Sequence, residues 1–298
     1  MQTRNTHVEM ATKHPSTGVS VRLASREGTL TGVTSGLAPF FLQANLIVLP
    51  SRYADDFRLL CARNPVPCPL LAESSQIGSY DSLKSYIDGL SGDAIASNLD
   101  IRYDAPRYMV YQDGVLKDSH VPNIATEWTE DHVAFLIGCS YSFETALTDH
   151  DLPPRHAVTQ RNVPMYRTNI PLCPAGVFTG ATYVVSMRPY KRSDVEKVRD
   201  ITRPFVTTHG EPIAWGWDGM KNLGILDVSR PDWGDAPLEI DGQPLDSTNK
   251  DVVPVFWGCG VTPQEAVMRA GLNGTVLGHA PGHMILLDVK DGDVFNVE

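Results

Sequence analysis

The 298-residue chain lacks several features that would decide its class at once. It has no apolar run of about 18 residues, so no transmembrane helix is expected. Its N-terminus has no apolar signal-peptide core. It has five cysteines, at 61, 68, 139, 173 and 259, with no Cys-x2-Cys pair. An odd, scattered set fits neither a disulfide framework nor a structural zinc site, so reduced thiols in a cytoplasm-like compartment are expected. No Gly-x-Gly-x-x-Gly follows a strand, and there is no P-loop, His-Glu-x-x-His or Gly-x-Ser-x-Gly, which leaves NAD, ATP and the common hydrolase mechanisms without support. Net positive charge is also lacking. A formal charge of −10 and a pI near 5.3 argue against a general nucleic-acid or anionic-membrane binder, though not against a small anionic substrate.

What the chain does have is a repeated pattern. Val133-Ala-Phe-Leu-Ile-Gly-Cys-Ser-Tyr-Ser-Phe-Glu-Thr-Ala-Leu147 matches Val253-Pro-Val-Phe-Trp-Gly-Cys-Gly-Val-Thr-Pro-Gln-Glu-Ala-Val267 at an offset of 120. Val133, Gly138, Cys139 and Ala146 recur as identities, and Ser142, Glu144 and Leu147 meet Thr262, Gln264 and Val267. Each copy reads as a buried strand, a Gly-Cys turn, a capping hydroxyl and a helix. Such a turn offers free N–H groups and the positive end of a helix dipole, which suits a carboxylate or phosphate. If the turns share a site, the amides after Cys139 and Cys259 should open onto one cavity.

Residues 1–26 hold Arg4, Lys13, Arg22 and Arg26 against Glu9, and residues 1–25 are expected as an N-terminal tail. The segment is basic and hydroxyl-rich like a mitochondrial transit segment, but a flexible polar tail is the simpler expectation. A short helix is expected at 21–27, a buried strand at Leu46–Leu49 and a helix from Ser51 to Cys61 closed by Asn64-Pro65. Residues 73–98 read as a Ser/Gly-rich surface insertion with a weak helix at 83–90. Ser193-Asp-Val-Glu196 reads as a capping box. Alternating strands and helices predict an α/β fold, with a mixed, mostly parallel sheet and helices on both faces. The main domain is expected at 26–154 and 251–298, with a smaller α+β lobe at 155–250.

Candidate chemistry falls on loops and turns. Cys139 and Cys259, at helix starts, could be activated thiols or small buried residues. Ser140, Ser142, Gly260 and Thr262 could cap or touch substrate. Glu144 could complement its helix dipole or act as a base. His209, His279 and His283 sit beside Gly or Pro, and any of them could move a proton. The Pro-Gly between His279 and His283 forbids a shared helical face, so no metal site is assigned; no cofactor is expected, with a divalent metal left open. Arg167 and Arg107 could hold a carboxylate bidentately or form surface ion pairs.

Several blocks together resemble the D-glutamate cyclase family. They are Gly36-Leu-Ala-Pro39 with Gln43-Ala-Asn45, Arg63-Asn-Pro-Val-Pro-Cys-Pro69, Phe135-Leu-Ile-Gly-Cys-Ser140, Asn162-Val-Pro-Met-Tyr-Arg-Thr-Asn169, Trp257-Gly-Cys-Gly-Val-Thr-Pro-Gln264 and His279-Ala-Pro-Gly-His-Met284. The likeness spans about 26–290. Departures are the N-terminal tail, the 73–98 insertion and Trp215-Gly-Trp-Asp-Gly-Met220. The resemblance implies an α/β fold with a smaller second lobe and a hydro-lyase acting on a small carboxylate, exemplified by interconversion of D-glutamate and 5-oxo-D-proline. It carries over no catalytic residues. On chemical grounds Glu144, His209 and His283 are the expected proton carriers. Cys139, Ser140, Ser142, Arg167, Cys259, Gly260, Thr262 and His279 are the expected substrate contacts. The alternatives are a non-catalytic binder or sensor of 5-oxoproline-like carboxylates, and a biosynthetic lyase with a bulkier substrate near Trp215 and Trp217. The expected partner is a small carboxylate, with neither nucleic acid nor membrane and with a homodimer left open. The expected location is cytoplasmic, with mitochondrial as the alternative.

Overall fold

The computed structural model describes residues 15–295; residues 1–14 of the expected tail lie outside the described residues. From Gly18 the chain is helical (α1, Gly18–Arg26), starting three residues before the expected helix, with a Thr17–Ser20 capping box. It is also anchored. The wholly buried Arg22 donates to Asp288 and to the Leu286 and Ser97 carbonyls, so residues 18–25 are packed rather than a loose tail.

The elements then run β1 (Phe41–Pro50), α2 (Ala54–Arg63), β2 (Leu70–Ser74), β3 (Leu83–Ser85), α3 (Gly92–Ile95), β4 (Tyr108–Gln112), β5 (Val115–Val121), β6 (His132–Gly138), α4 (Glu144–Asp149) and α5 (Arg155–Val158). They continue with β7 (Met165–Pro171), β8 (Thr182–Lys191), α6 (Val195–Thr202), β9 (Ala214–Trp215), α7 (Gly216–Asn222), β10 (Val252–Gly258), α8 (Val261–Ala270), β11 (Thr275–His279), β12 (Ile285–Lys290) and α9 (Asp291–Phe295). One sheet has the order β3-β2-β6-β1-β11-β4-β5, with β12 also on β1; the other has the order β7-β8-β10-β9. Thus β10, just past the expected boundary at 250, belongs to the second sheet.

The expected mostly parallel sheet is wrong: every strand pairing among the described residues is antiparallel. The class is mixed α and β with antiparallel sheets. The alternation of strands and helices that suggested parallel strands does not fix strand direction, and the apolar runs report only burial on both faces, which is common in parallel sheets but not confined to them. Along β1, Leu42, Ala44, Leu46 and Val48 enter one core, while Ile47 and Leu49 enter another. The 73–98 segment is likewise not a surface insertion. Leu83, Ile87, Ile95 and Ala96 are buried in the first of these cores, and the weak helix expected at 83–90 begins as strand β3. The Ser193–Glu196 capping box does not form; Asp194 stands at the N-cap with no side-chain cap bond.

The chain contains a structural repeat longer than the two Gly-Cys units. Phe41–Pro50, the 3-10 turn Ser51–Tyr53 and the start of α2 at Ala54 recur at an offset of 141 as Thr182–Lys191, the 3-10 turn Arg192–Asp194 and the start of α6 at Val195. The registers agree. Seven consecutive pairs from Ala44↔Gly138 to Pro50↔His132 become Val185↔Gly258 to Lys191↔Val252. The hydroxyls agree too: Ser142 Oγ accepts the Gln43 N–H and Thr262 Oγ1 accepts the Val184 N–H, each at 2.9 Å.

The halves are interlocked. Leu147 of α4 packs with Val198 of α6 in the second half's core, and its counterpart Val267 of α8 packs with Phe57 of α2 in the first half's core. Each half therefore covers the other half's sheet with the helix that follows its own Gly-Cys turn.

Candidate active site

The two Gly-Cys turns meet at the junction of the halves. Cys139 and Cys259 share one apolar cluster with Tyr141, Met165, Val184 and Met284. Packing there leaves no room for a Cβ, against backbone at Gly138 and against a buried side-chain amide at Gly260. A Cβ on Gly138 would lie 1.9 Å from the Thr207 carbonyl oxygen, and one on Gly260 would lie 1.9 Å from Asn45 Nδ2. Asn45 in turn donates to the Gly138 carbonyl at 3.0 Å. These contacts cross between halves: Asn45 meets Gly260, and its counterpart Ser186 meets Ser140, Oγ to Oγ at 3.5 Å.

Both thiols are buried, and burial pushes them up, Cys259 to about 11. That is the reverse of an activated thiol. Ser142 and Thr262 hold strand backbones rather than capping their helices. Ser140 accepts from Arg188 at 3.1 Å.

Glu144 is engaged as well. Its carboxylate accepts from Arg188 Nε at 3.0 Å and from Arg188 Nη2, with His156 Nε2 at 3.1 Å and Ser35 Oγ at 3.2 Å. Burial alone would raise its pKa; His156 and Arg188 outweigh that and hold it down at about 2. An anion so stabilised is a poor base near neutral pH. Arg188 is fully buried and lies over the Phe143 and Trp257 rings. It was not among the expected site residues, although a charge directly after the mostly apolar run Val184–Met187 was a signal, because a buried charge needs a partner.

The histidines part company. His209 is buried with φ 89°, and its Nδ1 faces the Val66 carbonyl at 2.8 Å. Its Nε2 makes no hydrogen bond of ordinary geometry among the described residues, and burial lowers its pKa to about 4. His283 packs against His120 with ring centroids 5.8 Å apart, and burial lowers its pKa too.

His279 stands at a break in the sheet. β11 pairs with β1 at Ile47↔Gly278 and β12 pairs with it at Ala44↔Ile285. Three steps along β1 thus face seven steps from 278 to 285; His279 ends β11, still paired with Tyr108 of β4, and residues 280–284 leave the sheet beside Asn45 and Leu46. Such bulges re-aim side chains next to sites. The Leu46 N–H donates to His279 Nδ1 at 3.1 Å, and Gln264 Nε2 lies 2.9 Å from the same nitrogen. The far end of the loop is tied to Thr34, whose N–H donates to the Gly282 carbonyl at 2.8 Å.

A cavity of about 320 Å³ opens beside this break, between α8, β11 and β4. Its walls are mostly apolar, including Ile47, Met109, Trp233, Val261 and Leu277, with His279, Gln264, Tyr111, Arg167 and Glu265 as the polar groups. The size is at the small end of ligand pockets, roughly 300–1,000 Å³. Of the expected site residues, Arg167 and His279 line it; Cys139, Ser140, Ser142, Glu144, His209, Cys259, Gly260, Thr262 and His283 do not. The two turns therefore adjoin one another without both opening onto this cavity. Trp215 and Trp217 are not in its walls either.

Arg167 is already paired. Nε and Nη2 hold Glu265 at 2.8 and 3.1 Å, Nη1 holds Asp232 at 2.5 Å, and the guanidinium lies 4.3 Å over Trp233. No group of three or more His, Cys, Asp or Glu among the described residues is placed to hold a metal ion. No helix among them is long and apolar enough to cross a membrane.

The chain is 46% identical over 271 residues to a Schizosaccharomyces pombe protein described as "Putative hydro-lyase", covering 91% of this chain and 84% of that one. An Azorhizobium caulinodans protein of the same description is 45% identical over 275 residues, covering 92% of each chain. The crystal structure of a nitrogen repressor-like protein from Methanococcus jannaschii aligns over 93% of this chain and 97% of its own, at 11% identity and a TM-score of 0.36. That likeness is too distant to carry an argument. The profile of the D-glutamate cyclase family matches residues 133–288, a span holding both Gly-Cys turns, Arg167, Gln264 and His279, and with relatives this similar over nine-tenths of the sequence the chain belongs to that family.

Proposed function

We propose that this protein is a hydro-lyase of the D-glutamate cyclase type, taking D-glutamate to 5-oxo-D-proline and water at the cavity between α8 and β11. The observation that carries the reading is the convergence of His279, Gln264 and the Arg167–Glu265 pair on a small, largely apolar cavity in a member of this family.

Cyclisation asks three things of a site. The substrate must be held with its amine against its own side-chain carboxyl. The oxyanion that develops must meet a fixed donor. Water must be kept out while the ring closes. The apolar walls serve the last. Arg167 with Glu265 and Asp232 offers both signs of charge to an amino acid that carries both, so binding exchanges part of an existing ion-pair network for ligand contacts. His279 is the donor nearest the break in the sheet.

The test is to incubate the purified full chain with D-glutamate or with 5-oxo-D-proline, with and without a divalent cation, and to follow both by chiral chromatography. Interconversion is expected. Absence of conversion in either direction removes the cyclase reading. Saturable binding of 5-oxo-D-proline without turnover would favour a binder or sensor instead.

A further inference from the structure

His279 has its protonation fixed by its neighbours. A backbone N–H can only donate, so the Leu46 N–H at 3.1 Å makes Nδ1 an acceptor. The Gln264 amide supplies a second donor to the same nitrogen at 2.9 Å, and the Leu46 carbonyl at 3.3 Å is the longer contact. A neutral ring then carries its proton on Nε2. The ring is part of the cavity wall.

The repeat isolates what is special here. At the offsets of 120 and 141, Gln264 occupies the place of Glu144 and Ile47 the place of Arg188. In one half that location is filled by a buried Arg–Glu pair. In the other, the guanidinium is replaced by an apolar wall, the carboxylate by an amide bound to a histidine, and the space between is the cavity.

We propose that His279 is the hydrogen-bond donor this cavity presents to a carboxyl oxygen of its ligand, as a neutral ring protonated on Nε2, and that Gln264 is a positioning residue that fixes this tautomer. The chemical step rests on the cyclase reading above. The amine nitrogen attacks the side-chain carboxyl carbon, a C–N bond forms and a C–O bond breaks. Of the three ammonium protons one stays on nitrogen, and two leave with the departing oxygen as water. His279 donates to the oxyanion of the tetrahedral intermediate and keeps its own proton throughout.

An amide at 264 matters because a carboxylate there would draw a proton onto Nδ1. Burial opposes that charge and lowers the His279 pKa to about 4. The other titratable groups around the ring are Glu265 from α8, Arg167 from β7, Tyr111 from β4 and His283 from its own loop.

The test uses the full chain with ¹⁵N-labelled histidine, the His279 signals being identified by their loss in His279→Gln. Between about pH 5 and 8, Nδ1 is expected bare and Nε2 protonated. Adding 5-oxo-D-proline should move the Nε2–H resonance downfield. Gln264→Glu should raise the His279 ionisation into that pH range and add it to the pH profile of kcat. Gln264→Leu should lower kcat about 100- to 1,000-fold, as loss of an aligned oxyanion donor does, with a smaller effect on KM. A proton on Nδ1 in the unaltered protein overturns the proposal. So does a Gln264→Leu variant with unchanged kcat and tautomer, or a Nε2–H resonance that neither D-glutamate nor 5-oxo-D-proline moves. Turnover without that movement overturns the donor role and keeps the cyclase; movement without turnover keeps the donor role and removes the cyclase.

Discussion

Glu144 and Arg188 are opposite charges buried against each other, and each is held in place by the other. Burying such a pair gains little over an apolar substitute, but removing one partner leaves the other charge stranded and costs about 3–5 kcal/mol. Glu144→Gln is therefore expected to lower the urea midpoint by that order, and Glu144→Gln with Arg188→Met by less than the single change. Its pH dependence has a definite sign. The carboxyl ionises at about 2 in the folded chain against an ordinary 4.5, so its contribution is present above 4.5 and fades as pH falls towards 2. His209 and His279 act earlier. Each is held near 4 against an ordinary 6.5, so the unfolded chain takes up protons that the folded chain refuses. Stability is then full above 6.5 and declines as pH falls to 4, by about 3 kcal/mol per histidine, against a total of roughly 5–15. Urea midpoints measured from pH 7 to 4 should fall steadily, and His209→Gln should make that slope shallower, with the remainder carried by His279 and the other buried histidines, His132 and His283. A flat profile would mean that these rings titrate freely.

The break between β11 and β12 places His279, and its arithmetic can be tested. The partner of β1 carries four residues more than the ladder needs. Deleting Ala280–His283 restores continuous register, so the variant is expected to fold with a longer strand, seen as unchanged far-ultraviolet circular dichroism, and to lose calorimetric binding of 5-oxo-D-proline. Retained binding would show that the loop does not build the site. In the sequence, Pro281-Gly282 ruled out a helix but could not reveal a bulge, because a bulge is defined by a partner more than two hundred residues away. The strands themselves were legible: Leu46–Leu49 was read, and the full strand extends from Phe41 to Pro50. Their direction was not, since a run buried on both faces looks the same in either sense. The site was legible only in part for the same reason. His279 and Arg167 stood out by residue type. Glu265 and Asp232, 98 and 65 residues from Arg167, gave no local sign of their pairing with it. Gln264 was visible only as the counterpart of Glu144.

The pattern shared by the two Gly-Cys units was the visible end of a repeat whose remainder has almost no sequence likeness, Phe41–Pro50 and Thr182–Lys191 having no identical position. What the halves share is backbone geometry, and their interlock makes a claim about the whole molecule. Gly138 of the first half is covered by Thr207, and Gly258 of the second by Val66, its counterpart. α4 and α8 each complete the other half's core. Neither half can then loosen alone, so disturbance at one crossing should spread to both sheets. Gly138→Ala is the sharper probe, because its Cβ would lie 1.9 Å from a backbone oxygen, whereas Gly258→Ala meets one at 3.3 Å and needs only a small shift. Forced overpacking of this kind costs roughly 1–3 kcal/mol or more, so Gly138→Ala should lower the melting temperature further than Gly258→Ala. Hydrogen exchange of Gly138→Ala should show protection falling together in β1 and β6 of one sheet and in β8 and β10 of the other. Protection lost around 132–149 alone, with 182–191 and 252–258 unchanged, would show that the halves are independent and that the interlock is only contact. Joint loss would mean that the ion-paired half, where Glu144 and Arg188 fill the corresponding location, is the support against which the His279 side of the molecule is held.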